Sequence, residues 1–302
     1  MKPASACRAR LIGALLTIAM VALAGCEGSA AARTPSRSAY PRVLAIALSA
    51  SPTNFVPAVS WQRRAVVWIA RSPSGVALLS FNQRRVELRL HAGTVDPGGS
   101  GWRFGPFVRG GELHRLIAGF NSGFKLDTGA GGWESYGRVG LALGHGLGSI
   151  VTYANGRTDI GAWGEGVPAP GERVASVRQN LTLLIDRGIA ASSTGCLSCW
   201  GATLGGVSDP ARSALGITAH GRLVWAGGEH LTTGELADAL LGAHVVRAVE
   251  LDINPEWVAG YLYGHHHGHL PLVPVPVVPG QPGVPGFFLA PYSRDFFTIE
   301  AR

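Results

Sequence analysis

Glu250, Asp252, Asn254 and Glu256 occupy every second position of the stretch A-V-E-L-D-I-N-P-E-W. In an extended chain, alternate residues share a face, so Val249, Leu251 and Ile253 point one way and Glu250, Asp252 and Asn254 the other. Pro255 has no N–H to give a sheet ladder, which places the end of the strand there. Two carboxylates two residues apart on one face are separated by about 7 Å at the backbone. They repel each other unless a cation, an arginine or a shared proton lies between them. That is the geometry of a metal site or of a glycosidase acid/base pair. The competing reading is an edge strand with a solvated polar face. A divalent metal, Mg2+ or Ca2+ on Asp252, is the one cofactor this stretch suggests; otherwise none is expected.

Two further stretches have chemistry to offer. In A-G-F-N-S-G-F-K, Asn121 is held between Phe120 and Phe124 in a Gly-containing turn. Such a turn can present an amide and free backbone N–H groups to a ligand, or simply hold Asn in the left-handed region. Lys125 closes this stretch, and it is the only lysine after Lys2, whereas the chain has 26 Lys and Arg together. Arg212, in A-R-S-A-L-G, opens a predicted strand. Its planar fork suits a phosphate or carboxylate, whether a ligand's or one within the fold. His265, His266, His267 and His269 have a metal-binding composition, but their Gly/Pro-rich setting favours adventitious binding. The chain has no G-x-S-x-G, P-loop or H-E-x-x-H motif.

The elements that must position these residues are mostly strands. Val66–Ala70 and Val76–Phe81 flank S-P-S-G as a hairpin, and Val86, Leu88 and Leu90 alternate with Arg85, Glu87 and Arg89 as a half-exposed strand. Val151–Ala154 and Arg157–Ile160 flank Asn155-Gly156, a dipeptide suited to a type I′ turn with both central residues at positive φ. Leu215–Thr218 and Leu223–Ala226 flank a further turn at 219–222. One helix stands out. Thr232 and Glu235 have capping-box spacing, Leu236, Leu240 and Ala243 make its apolar stripe, and Gly242 marks its end. The Pro-rich segment from Leu270 to Phe288 suits an extended surface excursion. The expected fold class is α+β, a single domain of mostly antiparallel strands with a few helices.

Composition sets the compartment. Residues 1–10 are basic, residues 11–25 apolar but too short for a comfortable membrane span, and Leu23-Ala24-Gly25-Cys26 resembles a bacterial lipobox. The expected organisation is a lipoprotein signal peptide over 1–25, a flexible tether over 26–42 and one domain over 43–302, with Cys26 lipidated. The chain would then be anchored to the outer face of the bacterial cell membrane. Losing 1–25 removes Lys2, Arg8 and Arg10 and leaves 23 basic against 19 acidic side chains, with no basic cluster to bind nucleic acid. The remaining cysteines, Cys196 and Cys199, form a C-x-x-C without the second pair of a zinc ribbon or the flanks of a redox helix. A local disulfide is expected.

The blocks F-N-S-G-F-K, G-A-G-G-W-E-S-Y-G-R, R-S-A-L-G-I-T-A-H-G-R-L, L-T-T-G-E-L-A-D-A-L and E-L-D-I-N occur in that order. Together they resemble the bacterial phosphodiester glycosidase family, related to the lysosomal "uncovering enzyme", over roughly residues 60–300. The resemblance implies a single α+β domain that hydrolyses a sugar-1-phosphodiester at the glycosidic bond. Here the substrate would be a cell-envelope glycan or sugar phosphate. By position it carries functional roles onto Asn121, Arg212 and Asp252. Asp252 would be base, nucleophile or metal ligand, with Glu250 tuning it; Arg212 and Lys125 would clamp phosphate; Asn121 and Asn254 would orient sugar hydroxyls. Where the family commonly reads L-D-G-G-G-S, this chain has Leu251-Asp-Ile-Asn-Pro-Glu256, so a Gly turn that brings backbone N–H groups against substrate is absent. The alternative function is a non-catalytic lipoprotein that holds an envelope glycan on the same fold.

Overall fold

The computed structural model describes residues 54–201, 206–266, 269–281 and 285–302. The expected signal peptide, Cys26 and the tether lie outside the described residues. Eighteen strands and one α-helix, α1 (Thr233–Gly242), make up the described chain, so the fold is mostly β and not a balanced α+β. No helix among the described residues is long and apolar enough to cross a membrane.

Every strand pairing is antiparallel, in three sheets. The eight-stranded sheet runs β1 (Val56–Trp61), β2 (Arg64–Arg71), β3 (Ala77–Phe81), β14 (Leu223–Gly228), β13 (Arg212–Thr218), β15 (Val245–Glu250), β11 (Leu183–Asp186), β12 (Ile189–Ala190). The second sheet runs β7 (Arg138–Leu141), β6 (Trp133–Ser135), β10 (Val174–Gln179), β8 (Gly148–Tyr153), β9 (Thr158–Ala162). The third runs β17 (His269–Pro276), β16 (Gly260–His266), β5 (Leu116–Asn121), β18 (Phe296–Ala301), β4 (Val86–His91).

Period-two alternation decides which face of the large sheet goes where. Leu79, Phe81, Leu215, Trp225, Val249 and Leu251 meet Leu88, Phe120, Ile150 and Ile299 of the other two sheets in a common core. Leu78, Ala214, Val224 and Ala248 point the other way, beneath α1. The helix is capped as its sequence predicts: Glu235 N–H donates to Thr232 Oγ1 at 3.2 Å, and Thr232 N–H donates back to Glu235 Oε2 at 2.9 Å. Leu236 and Leu240 are fully buried, each contributing about 2 kcal/mol of hydrophobic stabilisation. Its last helical residue is Gly242, but the left-handed residue beyond the end is His244, at φ 59°.

The hairpins β2–β3, β8–β9 and β13–β14 form where the sequence places them. The turn at Asn155-Gly156 is of a different type from that expected. Gly156 N–H donates to Tyr153 O and Tyr153 N–H to Arg157 O, both at 2.8 Å, and only Gly156 of the pair has positive φ. This is a three-residue loop with a glycine bulge, which keeps the strand twist without forcing Asn155 left-handed. The proline-rich segment supplies β17, the edge strand of its sheet, where Pro274 and Pro276 cost no interior ladder. The side chains of the histidine run at 265–269 lie outside the described residues.

Candidate functional site

The acidic stretch is not an edge strand. β15 lies inside the large sheet between β13 and β11, and Glu250 is wholly buried. The strand also stops at Glu250, four residues before the end predicted from Pro255. Beyond it, Leu251 N–H still bonds Ser213 O at 2.8 Å, and Asp252 N–H crosses to Ser122 O at 2.9 Å. Asp252 then ends the extended run by accepting Asn254 N–H on Oδ1 at 2.9 Å, and Asn254 Oδ1 accepts Glu256 N–H at 2.9 Å. These two side-chain turns do locally what a Gly-rich turn would do with backbone alone. Glu256 is exposed and takes no part in the cluster.

Glu250 and Asp252 are answered by different arginines. Glu250 Oε1 lies 2.7 Å from Arg212 Nη1. Arg212 is itself buried, and its remaining bonds go to backbone: Nε to Leu231 O at 3.0 Å and Nη1 to Trp200 O at 3.1 Å. The Trp200 carbonyl is presented by a short 3-10 turn (Leu197–Trp200) that the Cys196–Cys199 disulfide closes, as the spacing predicts. Burial pushes the Glu250 carboxyl up to about 8, against the pull of Arg212 and with a further push from Asp252.

Asp252 Oδ2 lies 3.2 Å from Arg294 Nη2. Arg294 Nε sits 2.7 Å from Asp96 Oδ2, and Nη2 also donates to Gly123 O at 3.0 Å. Beside it, Asp295 Oδ2 accepts from Arg178 Nε at 2.7 Å. Arg178 donates further to Gln179 O at 2.6 Å and to Phe124 O. Burial raises Asp252 to about 6; Arg294 and the Asn254 N–H pull it down, while Asp295 pushes it up. Close backbone approach makes this packing possible. A Cβ on Gly93 would lie 2.4 Å from the Arg294 carbonyl carbon, and one on Gly123 would lie 3.0 Å from the Arg178 guanidinium carbon.

Asn121 ends β5 with an ordinary φ, so it is not the left-handed turn residue its flanks allowed. Its amide ties elements together: Nδ2 donates to Ser213 Oγ at 2.8 Å and Ser122 O at 3.1 Å, and Oδ1 accepts Ala259 N–H at 3.3 Å. Ser213 Oγ passes its own hydrogen to Asp252 O at 2.9 Å. Asn180 plays the same part from β10's end, donating to Glu250 O at 2.7 Å and accepting Phe124 N–H at 3.1 Å. Lys125 is exposed at the rim, with Nζ 4.9 Å from the centre of the Trp257 ring; the Arg294 guanidinium lies 4.2 Å from the same ring.

The structure therefore gathers Asp252, Glu250, Arg212, Asn121 and Asn254 into one polar cluster with Lys125 at its edge. It adds Arg294, Asp295, Arg178, Asp96 and Asn180, which no local motif announces. Four buried atoms in it make no hydrogen bond: Arg294 Nη1, Asp295 Oδ1, Glu250 Oε2 and Arg294 Nε, the last of which has the ion pair with Asp96. One separate group of metal-ligating side chains, His91, Glu112 and Glu300, forms among the described residues. There Arg89 and Arg115 hold the two Glu300 oxygens, and Gly105 O and Thr298 Oγ1 engage the His91 ring nitrogens.

No family model and no curated protein matches this sequence. Among solved structures, the zebrafish N-acetylglucosamine-1-phosphodiester alpha-N-acetylglucosaminidase catalytic domain, auto-inhibited by its pro-peptide, is similar at 15% identity, with a TM-score of 0.48 over 85% of this chain and 90% of that one. A hypothetical protein from Synechocystis is similar at 14% identity, with a TM-score of 0.43 over 84% of this chain and 64% of that one. These values describe a distant likeness in fold.

Proposed function

We propose that the chain is an exported, lipid-anchored hydrolase that cleaves a sugar-1-phosphodiester of an envelope glycan at its glycosidic bond. The observation that carries this reading is the Asp252–Arg294 pair. A carboxyl lifted to about 6 lies 3.2 Å from a guanidinium whose Nη1 is buried without a partner. When the anomeric C–O bond breaks, the phosphate departs as a stabilised monoester anion, so a guanidinium on it relieves most of the need for acid catalysis. Asp252, ionised above its raised pKa, is then the group to activate water or attack the anomeric carbon.

On this reading Arg294, with Lys125 at the rim, takes the phosphate. Arg212 is a positioning residue, since its bonds go to Glu250 and two carbonyls. Asn121 and Ser213 fix the backbone of Asp252. A divalent cation on Asp252 would have to displace Arg294 and the Asn254 N–H from its oxygens, which favours a metal-free reaction. The test offers the purified chain a panel of sugar-1-phosphodiesters, with and without Mg2+ or Ca2+, beside Asp252→Asn. Turnover by the native chain and none by the variant supports the reading. Sugar binding without turnover by either supports the non-catalytic alternative. For the anchor, the assay is incorporation of a palmitate analogue, which Cys26→Ser must abolish.

A further inference from the structure

A cleft of about 620 Å3 opens where β4 meets the second sheet, lined in part by Glu87, Arg89, Arg103, Tyr136, Asn155 and Arg173. Its floor includes Val174 and Ala175 at the start of β10. The Asp252 site takes Arg178 and Asn180 from the other end of that strand, roughly 13 Å along at strand rise. The two places are separate.

Three side chains shape the cleft: Arg103, Arg173 and Tyr136, whose ring packs edge-on against Phe104 at 5.8 Å between centroids. Arg103 and Arg173 are exposed and, among the described residues, make no ion pair or side-chain hydrogen bond, so two guanidiniums of the lining lack a carboxylate partner there. Arg103 stacks 4.5 Å from the centre of the Tyr136 ring, and Tyr136 as a residue is 46% exposed. Tyr136 itself stands at φ 51°, followed by Gly137 at φ 76°, in the two-residue turn joining β6 to β7. That turn type selects Asn-Gly, and an aromatic residue is unfavourable in the left-handed region. The backbone gains nothing from tyrosine there; the ring instead meets Phe104 and Arg103 and lines the cleft. By contrast, Arg89 is matched by Glu87 and Glu300.

We propose that this cleft is a second binding site, for an acidic saccharide, independent of the Asp252 site. Guanidiniums answer a carboxylate or phosphate on the sugar, and the Tyr136 ring takes an apolar face of a pyranose ring. The volume suits a few sugar rings and is too small for a folded partner. As a site beside a hydrolase centre, it would hold a charged glycan near the bond to be cut.

The test is calorimetric titration of the full chain, in detergent, with four probes: trigalacturonate, glucose 6-phosphate, maltotriose and AMP. Binding of trigalacturonate or glucose 6-phosphate is expected, the better of the two identifying the charge, with no binding of maltotriose. Affinity should fall at least tenfold in Arg103→Ala and in Arg173→Ala. Tyr136→Asn should also lose binding while its melting temperature stays near the native value, because the better turn residue offsets the lost Phe104 contact; that separates loss of the ring from unfolding. Asp252→Asn should bind as the native chain does. Equal binding of maltotriose, tighter binding of AMP, no binding of either acidic sugar, unchanged affinity in the three cleft variants, or loss of binding in Asp252→Asn would each overturn the proposal.

Discussion

Arg294 Nη2 sits 3.2 Å from Asp252 Oδ2, with 41 residues of chain lying between the two positions. One residue follows β15, the other precedes β18, and neither lies in a strand. Arg294 is also held by Asp96, and Asp252 by the Asn254 N–H, so each partner is oriented by something other than the pair. That fixes a carboxylate and a guanidinium in advance, which is the condition the proposed hydrolysis needs.

Activity should have an acid limb set by Asp252. With its pKa raised to about 6, the carboxylate forms as pH rises through that value, and kcat/KM against a sugar-1-phosphodiester should rise with it. Asp252→Asn should lower kcat by about a hundredfold or more, as loss of an essential base or nucleophile does. A profile flat from pH 5 to pH 8 would remove Asp252 from that role.

The neighbours should move the limb in opposite directions. Arg294 lowers the Asp252 pKa and Asp295 raises it. Arg294→Gln should therefore shift the limb to higher pH, and Asp295→Asn to lower pH. The check is the pH dependence of kcat/KM in each variant; movement in the same direction by both would refute the electrostatic account.

The same carboxyl links stability to pH. Its proton is held more tightly in the folded chain than at the ordinary value of 3.8, so its contribution is full below pH 3.8 and is lost as pH rises through about 6. Asp252→Asn does not titrate, and between about pH 4 and pH 7 it should gain about 2 kcal/mol on the native chain. Urea unfolding of the two proteins at several pH values measures the difference.

Removing Glu250 should cost about 3–5 kcal/mol, because Arg212 is left charged and fully buried, whereas removing Arg212 leaves a Glu250 that takes up a proton and should cost less. Arg212→Met with Glu250→Leu should cost much less than Glu250→Leu alone. Melting temperatures of the three variants decide it; additive losses would show that the pair is not the unit.

Opening the Cys196–Cys199 bond should cost about 2 kcal/mol, the value expected for so short a loop. Loosening the turn also loosens Trp200 O on Arg212, so Cys196→Ser with Cys199→Ser should lower the melting temperature and sensitise the chain to Arg212 substitutions.

Much of the frame was legible in the sequence because it is written in local code. The capping box at Thr232–Glu235, the β2–β3 and β13–β14 hairpins, and the alternation of Val86, Leu88 and Leu90 each depend on residues within one or two turns of chain. Asp252, Glu250 and Arg212 were legible as candidates because acids and an arginine are conspicuous in apolar strands. Their pairing was not. Glu250 looked as though it shared a face with Asp252, whereas the strand stops between them and Asp252 turns to another arginine. Arg294 and Asp295 precede a strand with no motif around them, and Asp96 and Arg178 are single charges among many; only the tertiary fold brings them together. The Asn155-Gly156 turn shows a smaller failure. The dipeptide signals a hairpin reliably, but a three-residue loop can use the same glycine without a left-handed asparagine.

β18 comes after every other strand in the chain, yet it lies inside its sheet between β5 and β4, and Arg294 and Asp295 directly precede it. As the chain is made, Asp252 and Arg178 are already present, but both wait for partners that are synthesised later. A nascent or stalled chain can hold most of the large sheet and still have no oriented carboxylate. A chain stopped before Arg294 therefore leaves Asp252 and Arg178, both already made, without the charged partners that orient them.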